Sequence, residues 1–476
     1  VNRQKEIDNF EPEPYWVLAT IYRDTTFTAT KGKFTTKEEG EQAFATIEGK
    51  PFTVTDVQKK RGTEAPPHLY DLTSLQVDCN RKFGMSADMT LKIIQTLYER
   101  KLTTYPRVDT QYLSDDIYPK CGGILNGIKG YDQLLTALRG KPLKKSKKVF
   151  DTSKVTDHHA IIPTGVPAQG LTDMERHVYD LIARRFISVF YPDCKFATTT
   201  VMGDVDGIEF KATGKLILDP GWRAVYAKDA ADRQTADDGD AKPQDEERTL
   251  PAFEKGESGE HTPTLTEKWT TPPKYYTEAT LLRAMETAGK FVDNEELRAA
   301  LKENGIGRPS SRAGIIETLF KRHYIRRERK NLVATATGIE LIDLIKEELL
   351  KSCELTGIWE KKLRDIEHKT YDPAQFISEL KEQIATIVHD VLSDNSNRRV
   401  TILTEEDLKK KTKRKTAAKP KATTATKSAA KPGDATGVKP GDVCPVCGKG
   451  VVIKGKTAYG CSRWKEGCSF RLPFEQ

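Results

Sequence analysis

Two short segments of the sequence carry residues whose types and spacing suit phosphoryl chemistry. In Leu102-Thr103-Thr104-Tyr105-Pro106-Arg107-Val108-Asp109-Thr110, a phenol stands two residues from a guanidinium. A free tyrosine ionises near pH ~10, so as a nucleophile it needs positive charge nearby to favour the phenolate. Arg107 could supply that charge and pair with a phosphate in the transition state. The same spacing also fits a surface Tyr and Arg at a turn. In the second segment, Asp157-His158-His159-Ala160-Ile161-Ile162-Pro163-Thr164, two adjacent imidazoles precede an apolar stretch. Histidine moves protons near neutral pH and also binds metals. Adjacent side chains point apart, so one site rarely uses both, and a structural role fits equally.

A third constellation is Cys444-x2-Cys447-x13-Cys461-x6-Cys468, with Gly448, Gly460 and Gly467 to permit tight turns. Four thiolates in two close pairs match a tetrahedral structural zinc site, and coordination would supply folding energy to a segment too short for a core. A redox pair at Cys444 and Cys447 would leave Cys461 and Cys468 unexplained. Tyr459, Trp464 and Phe470 could stack on bases or pack around the metal. The other four cysteines, Cys79, Cys121, Cys194 and Cys353, are scattered singly, as buried thiols of a reducing cytoplasm are.

The elements that must hold these residues can be read from the pattern. Residues 15–65 read as strands, and from Leu69 the pattern turns helical. Ser86 is the expected N-cap of a helix that puts Leu91, Ile94, Leu97 and Tyr98 on one face, with Arg100 and Lys101 in its last turn. Pro106 cannot continue that helix, so Tyr105 falls at its boundary. Helix returns from Asp173 to Val189, then strand from Phe196, with Asp206-Gly207 as a hairpin turn. Residues 228–262 read as an exposed insertion, and a last helical region runs from Tyr276 to Ser396. Within it, Gly305-Ile306-Gly307-Arg308-Pro309-Ser310-Ser311 leads into an apolar helix with Ser310 or Ser311 as N-cap. A helix N-terminus with free N–H groups, a hydroxyl and a guanidinium suits a DNA phosphate.

The chain has 476 residues and a formal charge of +8. Between Lys409 and Lys439 eleven Lys/Arg face a single acid, Asp434, a local net of +10 that leaves −2 for the remainder. That low-complexity stretch is a tether that also attracts DNA in a salt-dependent manner. A DNA site on the folded body must therefore depend on local arrangement. No stretch approaches the roughly 18 apolar residues of a membrane helix, no signal peptide opens the chain, and no Gly-x4-Gly-Lys-Ser/Thr phosphate loop occurs.

Four segments in order resemble successive signatures of the type IA DNA topoisomerases: Ala65-Pro-Pro-His68-Leu-Tyr-Asp-Leu-Thr73-Ser-Leu-Gln76, the Tyr105 segment, His158-His159-Ala-Ile-Ile-Pro-Thr164, and Gly305-Ile-Gly-Arg308-Pro-Ser-Ser311. They span about 250 residues. The resemblance implies that Tyr105 attacks a single-strand phosphodiester and becomes joined to its 5′-phosphate. It implies that Arg107 positions the scissile phosphate and that His158 influences DNA binding or proton transfer. Arg308, Ser311 and Arg322 fall where the family contacts the single strand, with Ser311 where Thr is usual. Exchange of one phosphodiester for another needs no ATP. Tyr-Pro-Arg, rather than Tyr-Met-Arg, leans toward the topoisomerase III branch.

The implied fold is a multi-domain α and β gate architecture. A β-rich gate domain (1–65 and 190–272) is interrupted by a helical domain with the tyrosine (66–189), and a helical single-strand DNA-binding domain (273–400) follows. A basic linker (401–440) and a zinc-ribbon-like module (441–476) complete it. Family members also carry an N-terminal Toprim domain whose acids hold magnesium beside the tyrosine. No counterpart precedes Tyr105, and Asp238-x-Asp240 mimics only part of such a motif. Together with a start at Val1, this reads as a fragment that binds DNA but relaxes supercoils poorly. Two other readings stand beside it: a relaxase-like nicking transferase, which would need a spaced His cluster that His158-His159 lacks, and a non-catalytic single-stranded-DNA-binding protein.

Overall fold

The computed structural model describes residues 1–227, 248–394, 399–402, 442–444, 451–454, 458–462 and 470–473, with the backbone alone at 302–304, 454, 458–460 and 471–473. It divides into two compact units, Val1–Leu403 and Thr404–Gln476.

In the larger unit a short helix, α1 (Asn2–Asp8), leads into β1 (Pro14–Tyr22) and β2 (Thr25–Phe34). Arg23 and Asp24 turn between the strands with φ of 46° and 58°, the left-handed pair that matches the twist of a two-residue hairpin. Next come α2 (Lys37–Ile47), β3 (Phe52–Glu64) and, beyond a long helical excursion, β4 (Cys194–Val205) and β5 (Ile208–Asp219). Asp206 and Gly207, at φ 51° and 84°, make the β4–β5 turn that the sequence predicts. With β6 (Ser258–Gly259) and β7 (Thr262–Trp269), these strands form one sheet in the order β6-β3-β4-β5-β2-β1-β7. Alternation sends Leu18, Phe27, Phe52, Val54, Val201 and Phe210 to one buried face. On that face α2 lies so close that a Cβ on Gly40 would stand 3.2 Å from Leu265 and 3.3 Å from Trp16. The opposite face is the more open one and mixes threonines and lysines with Val17, Ile21 and Met202.

The excursion between β3 and β4 packs its own core. It holds α3 (Leu72–Phe83), α4 (Ala87–Glu99), the short α5 (Cys121–Gly127) and α6 (Asp132–Thr136), and α7 (Asp173–Ser188). Ser86 caps α4 as expected, its hydroxyl accepting from Met89 N at 3.1 Å. Thr172 and Glu175 close a reciprocal capping box on α7. Arg185 of α7 reaches Asp78 at 2.8 Å and the Tyr70 hydroxyl at 2.7 Å, and burial raises the Tyr70 pKa well above its ordinary value.

After the sheet come α8 (Glu278–Glu286), α9 (Glu295–Asn304), α10 (Pro309–Lys321), the hairpin β8 (Ile325–Glu328) and β9 (Asn331–Ala334), then α11 (Ala336–Leu344), α12 (Glu354–Glu367) and α13 (Pro373–Leu392). In the smaller unit β10 (Val452–Lys454), β11 (Ala458–Cys461) and β12 (Arg471–Pro473) form an antiparallel sheet. Among the described residues no helix is long and apolar enough to cross a membrane.

Four expectations change. Residues 15–65 are not all strand, because α2 interrupts them. Its signal was present: Thr36 accepts from Glu39 N as N-cap in a Thr-x-x-Glu sequence. The region from Tyr276 to Ser396 contains the β8–β9 hairpin. Third, α10 starts at Pro309 with Arg308 as N-cap, not at Ser310 or Ser311. Proline has its φ pre-set for the first helical position and lacks only an N–H that would have had no helical partner, so the helix begins ahead of the serines. Of the segment 228–262 read as an insertion, 228–247 lies outside the described residues, while β6 and the start of β7 belong to the sheet.

Candidate active site

Tyr105 stands just beyond the point where α4 stops. Arg100 caps the helix, Lys101 turns left-handed at φ 58°, and Leu102 N donates back to Leu97 O at 2.9 Å. The chain then runs beside the His158 segment as a short antiparallel pair. Thr104 N donates to Ile162 O at 2.9 Å, and Thr164 N to Leu102 O at 3.1 Å. The Thr104 hydroxyl accepts from Ile162 N at 3.0 Å and donates to Ala160 O at 3.2 Å. Thr104 was not singled out from the sequence, yet it ties the tyrosine segment to the histidine segment.

The half-buried Tyr105 ring has Tyr98 edge-on at 5.4 Å between centroids and His158 tilted over it at 4.4 Å. His159 has Nδ1 2.8 Å from Ala160 O and makes no ring contact with the tyrosine, although it lines the same cleft. Phenol and imidazole meet ring to ring, which positions the phenol. Beside them opens a cleft of about 300 Å³, lined by Tyr105, Asp157, His158 and His159 together with Ser114, Asp116 and Thr152. A hydrogen bond from Ser114 holds the Asp116 carboxyl below its usual range, so this rim is anionic near neutral pH. Arg107 is exposed and has no ion-pair partner among the described residues, leaving its guanidinium available to an incoming phosphate.

The Arg308 turn is built separately. Gly305 and Gly307 take φ of 63° and 68°, and a Cβ on Gly305 would fall 2.2 Å from Met285 O, so the turn requires glycine there. Arg308 and Ser311 are both exposed, and the Ser311 hydroxyl donates to Arg308 O at 3.0 Å. Arg322 caps the other end of the 13-residue α10, about 20 Å away at 1.5 Å per residue. The structure thus brings Arg308 and Ser311 together and sets Arg322 apart.

Two buried charged residues that the sequence did not reveal join this region to α3 and α4. Arg312, 2% exposed, donates from Nε to Ile306 O at 3.2 Å and from a terminal nitrogen to the Thr73 hydroxyl at 2.8 Å. Burial lowers its pKa. Glu278 accepts from Ala87 N at 2.9 Å and from Arg327 Nε at 2.7 Å. Between them Val77, Ala87, Ala279, Leu282, Ala313 and Ile316 form a small apolar core. Nothing in local periodicity distinguishes such a buried Arg or Glu from a solvated one.

Among the described residues no group of three or more His, Cys, Asp or Glu is arranged to hold a metal. Cys444 and Cys461 are buried, whereas Cys447, Cys468 and the Asp238-x-Asp240 motif lie outside the described residues. The acids present around Tyr105 do not form a magnesium site.

Residues 1–378 match the family of DNA topoisomerases, and the chain belongs to that family. Its relatives include the DNA topoisomerase 3 of Bacillus licheniformis, 36% identical over 83% of this chain and 55% of that protein, and that of Bacillus subtilis, 36% identical over 82% and 54%. The Bacillus anthracis DNA topoisomerase 3 is 38% identical over 83% of this chain and 55% of its own length. The chain therefore spans about half the length of these relatives. Among solved structures, full-length topoisomerase I from Thermotoga maritima shares the fold with a TM-score of 0.60 at 23% identity, covering 81% of this chain and 60% of that one.

Proposed function

We propose that this chain is the strand-cleaving and gating portion of an ATP-independent type IA DNA topoisomerase of the topoisomerase III branch. The observation that carries the proposal is the Tyr105 loop, freed from its helix and laced to the His158 segment beside an open cleft. The Tyr105 oxygen attacks a backbone phosphorus, a 5′-phosphotyrosine bond forms, and the bond to the 3′-oxygen breaks. The released 3′-hydroxyl later reverses the exchange. Arg107 pairs with the phosphate oxygens, and His158 holds the phenol ring and meets the incoming strand. The Arg308 turn, with Ser311, takes a phosphate of that strand at the α10 N-terminus, and Arg322 takes one farther along.

The acids near Tyr105 do not suit magnesium, so no step here is routed through it. The resemblance implies that magnesium is held by a Toprim domain in this family and that the chain binds single-stranded DNA. The four cysteines from Cys444 to Cys468 are assigned to one structural zinc. Relaxase-like nicking is not favoured, since the chain belongs to the topoisomerase family.

The test is covalent trapping. The chain, with the N-terminal portion of a full-length relative supplied in trans, is incubated with a 3′-labelled single strand and denatured. A labelled adduct that maps to Tyr105 and vanishes in Tyr105→Phe is expected. An adduct that survives Tyr105→Phe, or maps elsewhere, refutes the assignment.

A further inference from the structure

The sheet face opposite the core has a composition of its own. On this face β2 presents Thr26, Thr28 and Thr30, and β7 presents Thr262, Thr264 and Thr266. The register sets them in rows across β1, with Ile21 opposite both Thr26 and Thr262, and Ala19 opposite both Thr28 and Thr264. All six threonines are exposed. The same face continues over β5 through Thr213 and over β4 through Thr200 and Thr198, which stand opposite Gln58 and Lys60 of β3.

Cations stand within this hydroxyl field. Lys60 lies opposite Thr198, Lys211 opposite Thr28, and Lys268 opposite Tyr15. All three are exposed and have no ion-pair partner among the described residues. The acids on this face are Asp204 and Glu209 by the β4–β5 turn, Asp56 in the row of Lys211 with Met202 between them, and Glu64 at the far end of β3. Its two rings are occupied, Tyr15 by Lys33 at 4.2 Å and Phe196 by Lys215 at 4.4 Å.

We propose that this face seats the backbone of duplex DNA without regard to sequence. Hydroxyl and ammonium donors are the groups that contact phosphates rather than base edges. β-Branched threonines are stiff at χ1, so little side-chain freedom is lost when they engage. Surfaces for single strands depend on aromatic rings on which bases stack, and among the described residues of this face no free ring is offered. Lys60 on β3 and Lys268 on β7 are five strand spacings apart across the sheet, about 24 Å, and the register offsets them by about eight residues along the strands, about 26 Å, so they lie diagonally about 35 Å apart. At about 3.4 Å per step that is roughly ten base pairs of backbone. The inference rests on the proposed function only in taking DNA as the polyanion.

Lysine acetylation of the full chain, read residue by residue by peptide mass spectrometry, tests it without interference from the basic tail. A saturating short duplex should slow labelling of Lys60, Lys211 and Lys268 by about five-fold or more, with the protection lost at high salt. Unchanged labelling at these lysines overturns the proposal, as does equal protection by a single strand of the same sequence. Combining Lys60→Glu, Lys211→Glu and Lys268→Glu should reduce the log–log salt slope of duplex binding by about 2.7, near 0.9 per lost phosphate contact. An unreduced slope in a variant that melts like the parent also overturns it, and the labelling of the parent decides the matter if the variant misfolds. Protection without a Tyr105 adduct sinks the proposed chemistry and leaves this inference standing; an adduct without protection does the reverse.

Discussion

At the scale of single residues, the proposed site depends on one hydroxyl that touches no substrate. Thr104 gives the buried start of the Ile162 segment a partner for its N–H, and the Tyr105 loop is laid against His158 by the same contact. In Thr104→Val the side chain keeps its shape but leaves Ile162 N unpaired, at a cost of about 1–3 kcal/mol. Urea denaturation should show that loss, and adduct formation should fall with it, while Thr104→Ser restores both. Arg312 and Arg308 offer the opposite contrast. Arg312→Met removes the donors that satisfy Thr73 and Ile306 O and should cost about 2 kcal/mol or more, whereas the exposed Arg308→Ala should stay within about 0.5 kcal/mol. If Arg308 takes a phosphate as proposed, its alanine variant should weaken single-strand binding without a matching loss of stability; equal stability losses in the two variants would contradict the burial argument. The boundary position of Tyr105 was legible from Pro106. Its pairing with His158 was not, because 53 residues and a topology separate them.

Among the elements, those with local signals were legible and those built by distant pairing were not. Ser86 and Asp206-Gly207 announced α4 and the β4–β5 turn through chemistry within a few residues, and α7 was read from its helical pattern, its Thr172 box being a local signal that went unread. The edge strand β7 owes its conformation to β1, some 245 residues away, and its Thr-Pro-Thr-Leu-Thr sequence gives no comparable local cue. Strands β8 and β9 are four residues each, too short for alternation to stand out against the helices around them. The α12–α13 pair shows how polar contacts hold an element with little core, since α13 has no buried residue. Glu379 accepts from Lys362, from the Tyr371 hydroxyl at 2.6 Å and from Gln375 at 3.0 Å, and these bonds, with Lys362 foremost, pull its pKa down to about 2. A carboxyl with a lowered folded-state pKa contributes stability above its ordinary value of 4.5 and loses it as pH falls toward about 2. Amide exchange across 354–392 should therefore accelerate as pH drops through that window, beyond the intrinsic pH dependence, and Glu379→Gln should flatten the response. A profile identical in the variant would show that another group controls this pair.

Over the whole molecule, apolar core is distributed unequally between the two units, and so should be the response to metal removal. The larger unit carries its own apolar cores, while the smaller unit has a three-stranded sheet of short strands, with Cys444 and Cys461 buried beside it. A segment of that size lacks the apolar area to offset its conformational entropy, so a metal cross-link is the physical route to a stable fold. If the four cysteines bind one zinc as proposed, elemental analysis of the purified protein should return about one zinc per chain. Cys444→Ser and Cys461→Ser should each lower that content. Because the binding free energy of such a site is folding free energy, a strong chelator should abolish amide protection in 442–473. Protection around Phe52, Phe210 and Phe186, in the cores of the larger unit, should not change. Full zinc occupancy in the Cys444→Ser, Cys461→Ser double variant, or loss of protection in those cores on chelation, would place the metal elsewhere.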